Sequence, residues 1–206
     1  ASGDTADALD VLRYLLSTQE ADGHWPQNMW LDGSPYWNGI QLDEAAFPIL
    51  LADALRRRNA LDGIDCWPML RRAASYIVRN GPVTLQDRWE EDGGYSPFTL
   101  AVVVARLLGA ADFADAAGEN AIATHLRETA DMWNARIEAW TYVTGTSLAR
   151  EVGVEGYYIR IAPPEVADAR SPAQGFVPIK NRPPGDSELP MVQLVSPDAL
   201  ALVRFG

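Results

Sequence analysis

Apolar residues recur at the helical period along the first two thirds of the chain. In residues 5–19, Ala8, Leu9, Val11, Leu12, Leu15 and Leu16 fall on one face, which predicts an amphipathic helix with Asp4 or Thr5 as its cap. Residues 20–40 are rich in Gly, Pro, Asn and Asp and predict a loop. Residues 41–58 read as a helix almost apolar all round in its middle. Pro48 belongs in its first turns or kinks it, and Arg56–Arg58 lie in the last turn, where the dipole favours cations. Asp65 and Pro68 open a third helix over 67–79, which Asn80-Gly81-Pro82 closes. A polar loop over 83–95 follows. Ser96-Pro97 then starts a second strongly apolar helix, FTLAVVVARLLGAA. A long helix is predicted over about 114–140 from Ile122, Leu126, Met132, Trp133 and Ile137. After Thr141 the pattern changes. Residues 142–192 are proline-rich, predict no helix, and allow short strands near 156–161 (GYYIRI). Ser196-Pro197-Asp198 starts a last helical run, DALALVRF.

The helices alternate in character. Those over 5–19 and 67–79 carry charged faces, whereas those over 41–58 and 95–110 are nearly all apolar. An amphipathic helix can lie at a surface; one apolar all round must be covered on every side. The alternation predicts an all-α fold of two concentric layers, with both inner helices preceded by loops bearing Trp and carboxylates. The simplest architecture with those features is an (α/α)6 toroid, present as roughly half of the barrel. Residues 1–206 then form one partial domain: helical over 1–141, a Pro-rich long loop over 142–195, and the start of the next helix over 196–206. The remainder of the barrel or another chain is expected to cover it.

Composition narrows the function. Apolar residues make up 48% and charged residues 22%, which are globular values. The net charge is −11, and Lys180 is the only lysine. An acidic chain without a basic stripe argues against nucleic acid and against an anionic membrane surface as partners. Neutral ligands such as sugars remain compatible. The apolar runs are expected to stop short of the ~18–20 residues of a membrane span, and no leader is visible at residues 1–20. Cys66 is alone, so it forms no intrachain disulfide and no cysteine-based metal site. The compartment stays open.

Three loops could carry chemistry. The first, Gln86-Asp87-Arg88-Trp89-Glu90-Glu91-Asp92-Gly93-Gly94-Tyr95, places four carboxylates in six residues beside a Trp and an Arg. Close carboxylates raise one another's pKa, and an indole wall adds desolvation. A carboxyl kept protonated that way can give a proton to a leaving oxygen. The alternative is a solvated acidic loop capping a helix. The second, Tyr36-Trp37-Asn38-Gly39-Ile40-Gln41-Leu42-Asp43-Glu44, sets aromatics beside Gln, Asp and Glu. Aromatic faces pack on sugar rings and the polar groups bond hydroxyls; the alternative is a packed aromatic corner with Asp43 or Glu44 at an N-cap. The third is Asp22-Gly23-His24-Trp25-Pro26-Gln27-Asn28, where a lone loop histidine is more often a structural donor than a ligand. His24 and His125 lack metal-ligand spacing, so no catalytic metal is expected. Calcium could be held through Asp-rich turns such as Asp62-Gly-Ile-Asp65, although the spacing is not a recognised loop.

These residues carry a resemblance. Trp89-Glu90-Glu91, then a Gly-containing stretch, Ser96, Phe98, Thr99 and an apolar helix resemble the glucoamylase and glucodextranase family of glycoside hydrolases, family fifteen. Tyr36-Trp37-x-Gly-Ile-Gln41-Leu-Asp43-Glu44-x-Ala-Phe-Pro looks like the sugar-binding loop of its bacterial branch. So do Gln19-Glu20-x-Asp22-Gly23-His24-Trp25-Pro26-Gln27-Asn28 and Pro178-Ile-Lys-Asn181-Arg182-Pro183.

The resemblance implies an (α/α)6 barrel and exo-hydrolysis of α-glucosidic bonds with inversion, releasing β-glucose. It implies Glu90 as general acid and Glu91 as a substrate-binding carboxylate. It implies Asp87 as a supporting acid, Trp37 as the aromatic against the sugar, and Gln41 and Asp43 as polar residues of that loop. Tyr36 and Trp89 join the binding wall, and Arg88 and Trp25 are more distant matches. The family's general base lies on a later loop that finds no match here, so the chain is expected to carry the acid half of the site and to be inactive alone. No cofactor is required. Two alternatives stay open: a trehalase- or phosphorylase-like toroid enzyme, and a non-catalytic carbohydrate-binding module. Arg88 is the only cation in the catalytic loops, and an anion site would need a cluster, which favours hydrolysis over phosphorolysis. The linkage, α-1,4 or α-1,6, is not readable.

Overall fold

A computed structural model describes residues 5–37, 39–165 and 174–205 of the chain. Helix α1 (Thr5–Thr18) buries Leu12 and turns its charged side outward. Asp4, offered as its cap, lies outside the described residues. A hairpin of β1 (Asn28–Met29) and β2 (Pro35–Trp37) stands where a plain loop was expected. The helix expected over 41–58 begins as a 3₁₀ turn, Leu42–Ala45, and becomes α2 (Phe47–Arg56) with Pro48 in its first turn. Helix α3 (Trp67–Asn80) carries Pro68 in its first turn, as expected. Its N-cap is Cys66, while the Asp65 side chain accepts from the Trp67 N–H at 3.1 Å.

Helix α4 (Pro97–Ala116) is the centre of the fold. Ser96 caps it, its side chain accepting from the Thr99 N–H, and thirteen of its twenty residues are buried. It packs against α2, α3 and α5 (Asn120–Asn134). It corrects the expectation on run length. By length and mean hydropathy (1.5) α4 could cross a membrane, because Arg106 interrupts the apolar run without lowering its average enough. Yet 72% of that stretch is buried inside the fold, as suits a core helix. Burying side chains such as Leu100, Val102, Val103 and Leu107 contributes about 1.5–3 kcal/mol each.

The single helix expected over 114–140 is instead three pieces. Gly118, at φ +77°, ends α4 in the left-handed region that favours glycine. Helix α5 follows, and α6 (Ile137–Thr141) starts after a further break. Strand β3 (Tyr142–Thr144) pairs antiparallel with β4 (Gly156–Tyr158), which agrees with the strand expected near 156–161. Between them lies an unexpected helix, α7 (Ser147–Val152), capped by Thr146 and ended by Gly153 at φ +74°. Strands β5 (Phe176–Pro178) and β6 (Glu188–Pro190) form a third two-stranded sheet. The last helical run is a 3₁₀ turn, Pro197–Leu200, followed by α8 (Ala201–Phe205), which docks on α4.

Among the described residues 53% are helical, and they present part of a toroid. The ends of α2 and α4 opposite the loops are locked by charge. Asp53, 2% exposed, takes Arg56 and Arg57 at 2.9 Å, and Arg106 approaches to 3.8 Å. Apolar grooves remain on two sides. One, about 360 Å³, is lined by Val11, Leu15, Trp25, Met29, Phe47 and Leu51. The other, about 200 Å³, is lined by Ala101, Val104, Leu108, Ile137, Leu202 and Phe205.

Candidate active site

The loops before α2 and α4 meet at one end of the helices. Thr84 fastens them. Its hydroxyl accepts from the Leu42 N–H at 3.1 Å and donates to the Gln86 carbonyl at 2.6 Å. Thr84 also bridges Gly94 through both main-chain groups, closing the base of the acidic loop. One turn further in, the Thr99 hydroxyl of α4 donates to buried Asp43 at 3.1 Å. Gln41 and Glu44 form a capping box around the 3₁₀ turn. Side chains of both loops crowd around Gly39. A Cβ there would overlap the Trp37 indole nitrogen and lie 2.5 Å from Gln86 Oε1 and 2.6 Å from Gln27 Oε1.

Inside the acidic loop, Asp87 is the organiser. It is 1% exposed, and its Oδ1 accepts from the N–H groups of Trp89 and Glu91, both at 3.1 Å. Its carbonyl accepts from the Glu90 N–H at 2.9 Å and its own N–H donates to the Asp92 carbonyl at 2.7 Å. Arg160 then neutralises the cluster. Its Nη1 donates to Glu91 Oε2 at 2.7 Å, Nε lies 3.1 Å from Asp87 Oδ2, and Nη2 lies 3.5 Å from Asp92 Oδ2. Arg160 is aimed there because Ile159 and Ile161 bury on the other side of an extended segment. That segment is tied to the loop by the Tyr95–Ala162 bridge.

Glu90 stands apart from its three acidic neighbours. It is exposed, and among the described residues its carboxylate forms no ion pair. Its backbone is left-handed, with φ +60°, a region uncommon for residues other than glycine. Its carbonyl accepts from Lys180 Nζ at 2.7 Å and from Gln86 Nε2 at 3.4 Å.

Titration follows burial first and crowding second. The sequence led us to expect mutual repulsion among the loop carboxylates, with desolvation by an indole wall, to hold one protonated. For Asp87 and Asp92, burial is the main cause pushing the pKa up, and Arg160 opposes it. Burial also raises Asp43 against its bond from Thr99. The group pushed up to about 7 lies in the other loop: Glu44, through burial, with the charges of Asp43 and Glu90 adding to it.

The aromatics surround this end. Tyr36 is 69% exposed, Trp37 50% and Trp89 56%. Tyr36 meets Trp30 edge-on at 5.1 Å. Large exposed aromatic faces beside fixed carboxylates suit a sugar ring better than an anion.

Some expected residues sit elsewhere. Trp25 is buried and donates to the Leu15 carbonyl at 3.1 Å, so it anchors its loop to α1. His24 bonds Asp22 at 2.6 Å and stacks on Tyr76, a structural arrangement. Arg88 lies over Phe98 at 4.7 Å and faces Asp198 at 3.8 Å. Asp62 is 3.7 Å from Arg13, and among the described residues no group of three or more His, Cys, Asp or Glu could hold a metal ion. Sequence reading missed Arg160, and it named Glu44 in its loop only as an N-cap candidate. The signal for Arg160 was a single cation between two isoleucines in a strand-like run; for Glu44 it was a carboxylate opening an apolar helix.

Known proteins resemble this chain along most of its length. The model of "Glycosyl hydrolases family 15" matches residues 18–199. The chain is 40% identical over 208 residues to a glucoamylase of Clostridium sp. (strain G0005), covering 100% of this chain and 27% of that protein. The crystal structure of a bacterial glucoamylase complexed with acarbose superposes with a TM-score of 0.81 at 36% identity, over 98% of this chain and 29% of that one. The chain thus spans less than a third of the length of these relatives.

Proposed function

Because the chain belongs to family 15 of the glycosyl hydrolases, we propose that it forms the acid-bearing part of an inverting, exo-acting α-glucoside hydrolase that releases β-glucose from the ends of α-glucans. Glu90 is the general acid. One observation carries this reading: of four carboxylates in the loop, three face Arg160, while Glu90 is exposed next to exposed Trp89 and, among the described residues, has no ion pair. A group that must give up and regain a proton cannot be held by a fixed cation, which would keep it ionised.

The sugar lies against Trp37, with Tyr36 and Trp89 extending the wall. Gln41, Asp43, Asp87 and Glu91 complete that loop pair, as substrate ligands or as the frame that sets them. The glycosidic C–O bond breaks as Glu90 gives its proton to the leaving oxygen. Water attacks the opposite face of the ring. The carboxylate that activates this water should stand roughly 6.5–9.5 Å from Glu90, and it is supplied from outside these residues. The same remainder of the barrel covers the two apolar grooves. Acarbose bound to the similar bacterial glucoamylase supports an oligosaccharide ligand.

The test is glucose release from maltotriose and isomaltotriose by the complete enzyme carrying this segment, with the anomer followed by polarimetry. Glu90→Gln is expected to cost about 10²–10⁴-fold in rate, as for a lost general acid. A variant keeping more than about a tenth of the rate would remove Glu90 from that role.

A further inference from the structure

We infer that Lys180 is a positioning residue for the acid: its ammonium holds the Glu90 backbone in the left-handed turn that sets the carboxyl against the sugar. The inference rests on the assignment of Glu90 above.

The geometry is specific. Lys180 Nζ lies 2.7 Å from the Glu90 carbonyl oxygen, a short charge-assisted bond. Lys180 lies just beyond β5, and its N-terminal neighbour Ile179 donates to the Ser187 carbonyl at 2.7 Å. The ammonium is therefore delivered from a hairpin, not from a free strand end. The contact spans 90 positions of sequence.

Glu90 needs such a device. A left-handed non-glycine residue persists only where its surroundings over-determine it. The Asp87 carbonyl fixes the Glu90 N–H, and Gln86 reaches the Glu90 carbonyl only at 3.4 Å. Lys180 makes the shorter of the two bonds to that carbonyl. Arg160 does not help here, since it grips the side chains of Asp87, Glu91 and Asp92. The two cations act at different points, although the charge of Lys180 also favours ionised Asp92. Arg160 neutralises the frame, and Lys180 orients the acid. A carboxyl misplaced by an ångström loses about 10²-fold in rate, so a lost hold on Glu90 should register in turnover.

Leaving-group dependence separates this role from general damage. An oligosaccharide leaves as an alcohol and needs the Glu90 proton on its glycosidic oxygen. In α-glucosyl fluoride the C–F bond breaks and fluoride departs as the anion, taking no proton from Glu90. The complete enzyme is therefore assayed on maltotriose and on α-glucosyl fluoride as Lys180→Met, Lys180→Arg and Glu90→Gln, with thermal unfolding as the check on folding. Lys180→Met is expected to lose at least about tenfold in kcat on maltotriose, with little change in KM, and less than about threefold on the fluoride. Lys180→Arg, which keeps a charged donor, should recover most of the maltotriose rate.

Equal losses on both substrates for Lys180→Met, or unchanged maltotriose turnover, would overturn the inference while a selective loss in Glu90→Gln left the acid assignment standing. Equal losses in Glu90→Gln itself would overturn the acid assignment and, with it, the inference. Should Lys180→Met not fold, Lys180→Gln and Lys180→Arg decide by the same ratio.

Discussion

Arg160 lies between Asp87 and Glu91, with Nη1 2.7 Å from the Glu91 carboxylate and Nε 3.1 Å from that of Asp87. All three side chains are at most 12% exposed. Removing the cation leaves two carboxylates in a poorly solvated place. Breaking a buried pair from one side costs about 3–5 kcal/mol. Arg160→Met is expected to lower the unfolding midpoint sharply at neutral pH and to lose less at acid pH, where the carboxylates can protonate. An equal loss at both pH values would show that packing, not charge, explains the effect.

Glu44 predicts a pH dependence of stability. Its folded pKa of about 7 lies above its ordinary value of 4.5. Between those values the folded chain keeps a proton that the unfolded chain has released. Stability from this group is therefore full below pH 4.5, falls as pH rises, and is gone above about pH 7. Glu44→Gln removes the cost of ionising a buried carboxyl. Thermal unfolding against pH should show the variant gaining on the parent between those two values, then holding a constant lead. A difference that does not vary with pH would disprove the shift.

A side chain at Gly39 would have to push neighbouring side chains aside. A Cβ there would collide with the Trp37 indole nitrogen and lie within 2.6 Å of the Gln27 and Gln86 side-chain oxygens. Gly39→Ala is therefore expected to shift the Trp37 indole. Weaker binding of acarbose, read by calorimetry on the complete enzyme, is the expected result. The unfolding midpoint should move little, because Trp37 is half exposed. Unchanged affinity would take Trp37 out of the binding wall.

Helices were the most legible part of the sequence. The all-round apolar run after Ser96 marked α4 as an inner helix because hydrophobic burial is blind to partners: such a helix must be covered by something. Punctuation was legible where it was chemical, as at Pro48, Pro68 and Ser96. It failed at Gly118, where Ala-rich flanks continued the helical period across a left-handed glycine. It failed again at α7, whose cap Thr146 and stop Gly153 enclose only six residues, too few for a period to show.

The site divides the same way. Both loops, with Glu90, Trp37 and Asp87, stood out because carboxylates and aromatics were clustered within a few positions. Glu91 faces Arg160 across 69 positions, and Glu90 takes its bond from Lys180 across 90.

The sequence by itself determined the helical layers, the family resemblance and the two loops that face each other, because those follow from local periodicity and local clustering of chemistry. Only the tertiary structure decided which carboxylates are neutralised, which one stays outside the ion-pair cluster and which one titrates near neutrality. Those properties depend on burial and on charges delivered from distant segments, and Coulomb interaction depends on distance in space, not on distance along the chain.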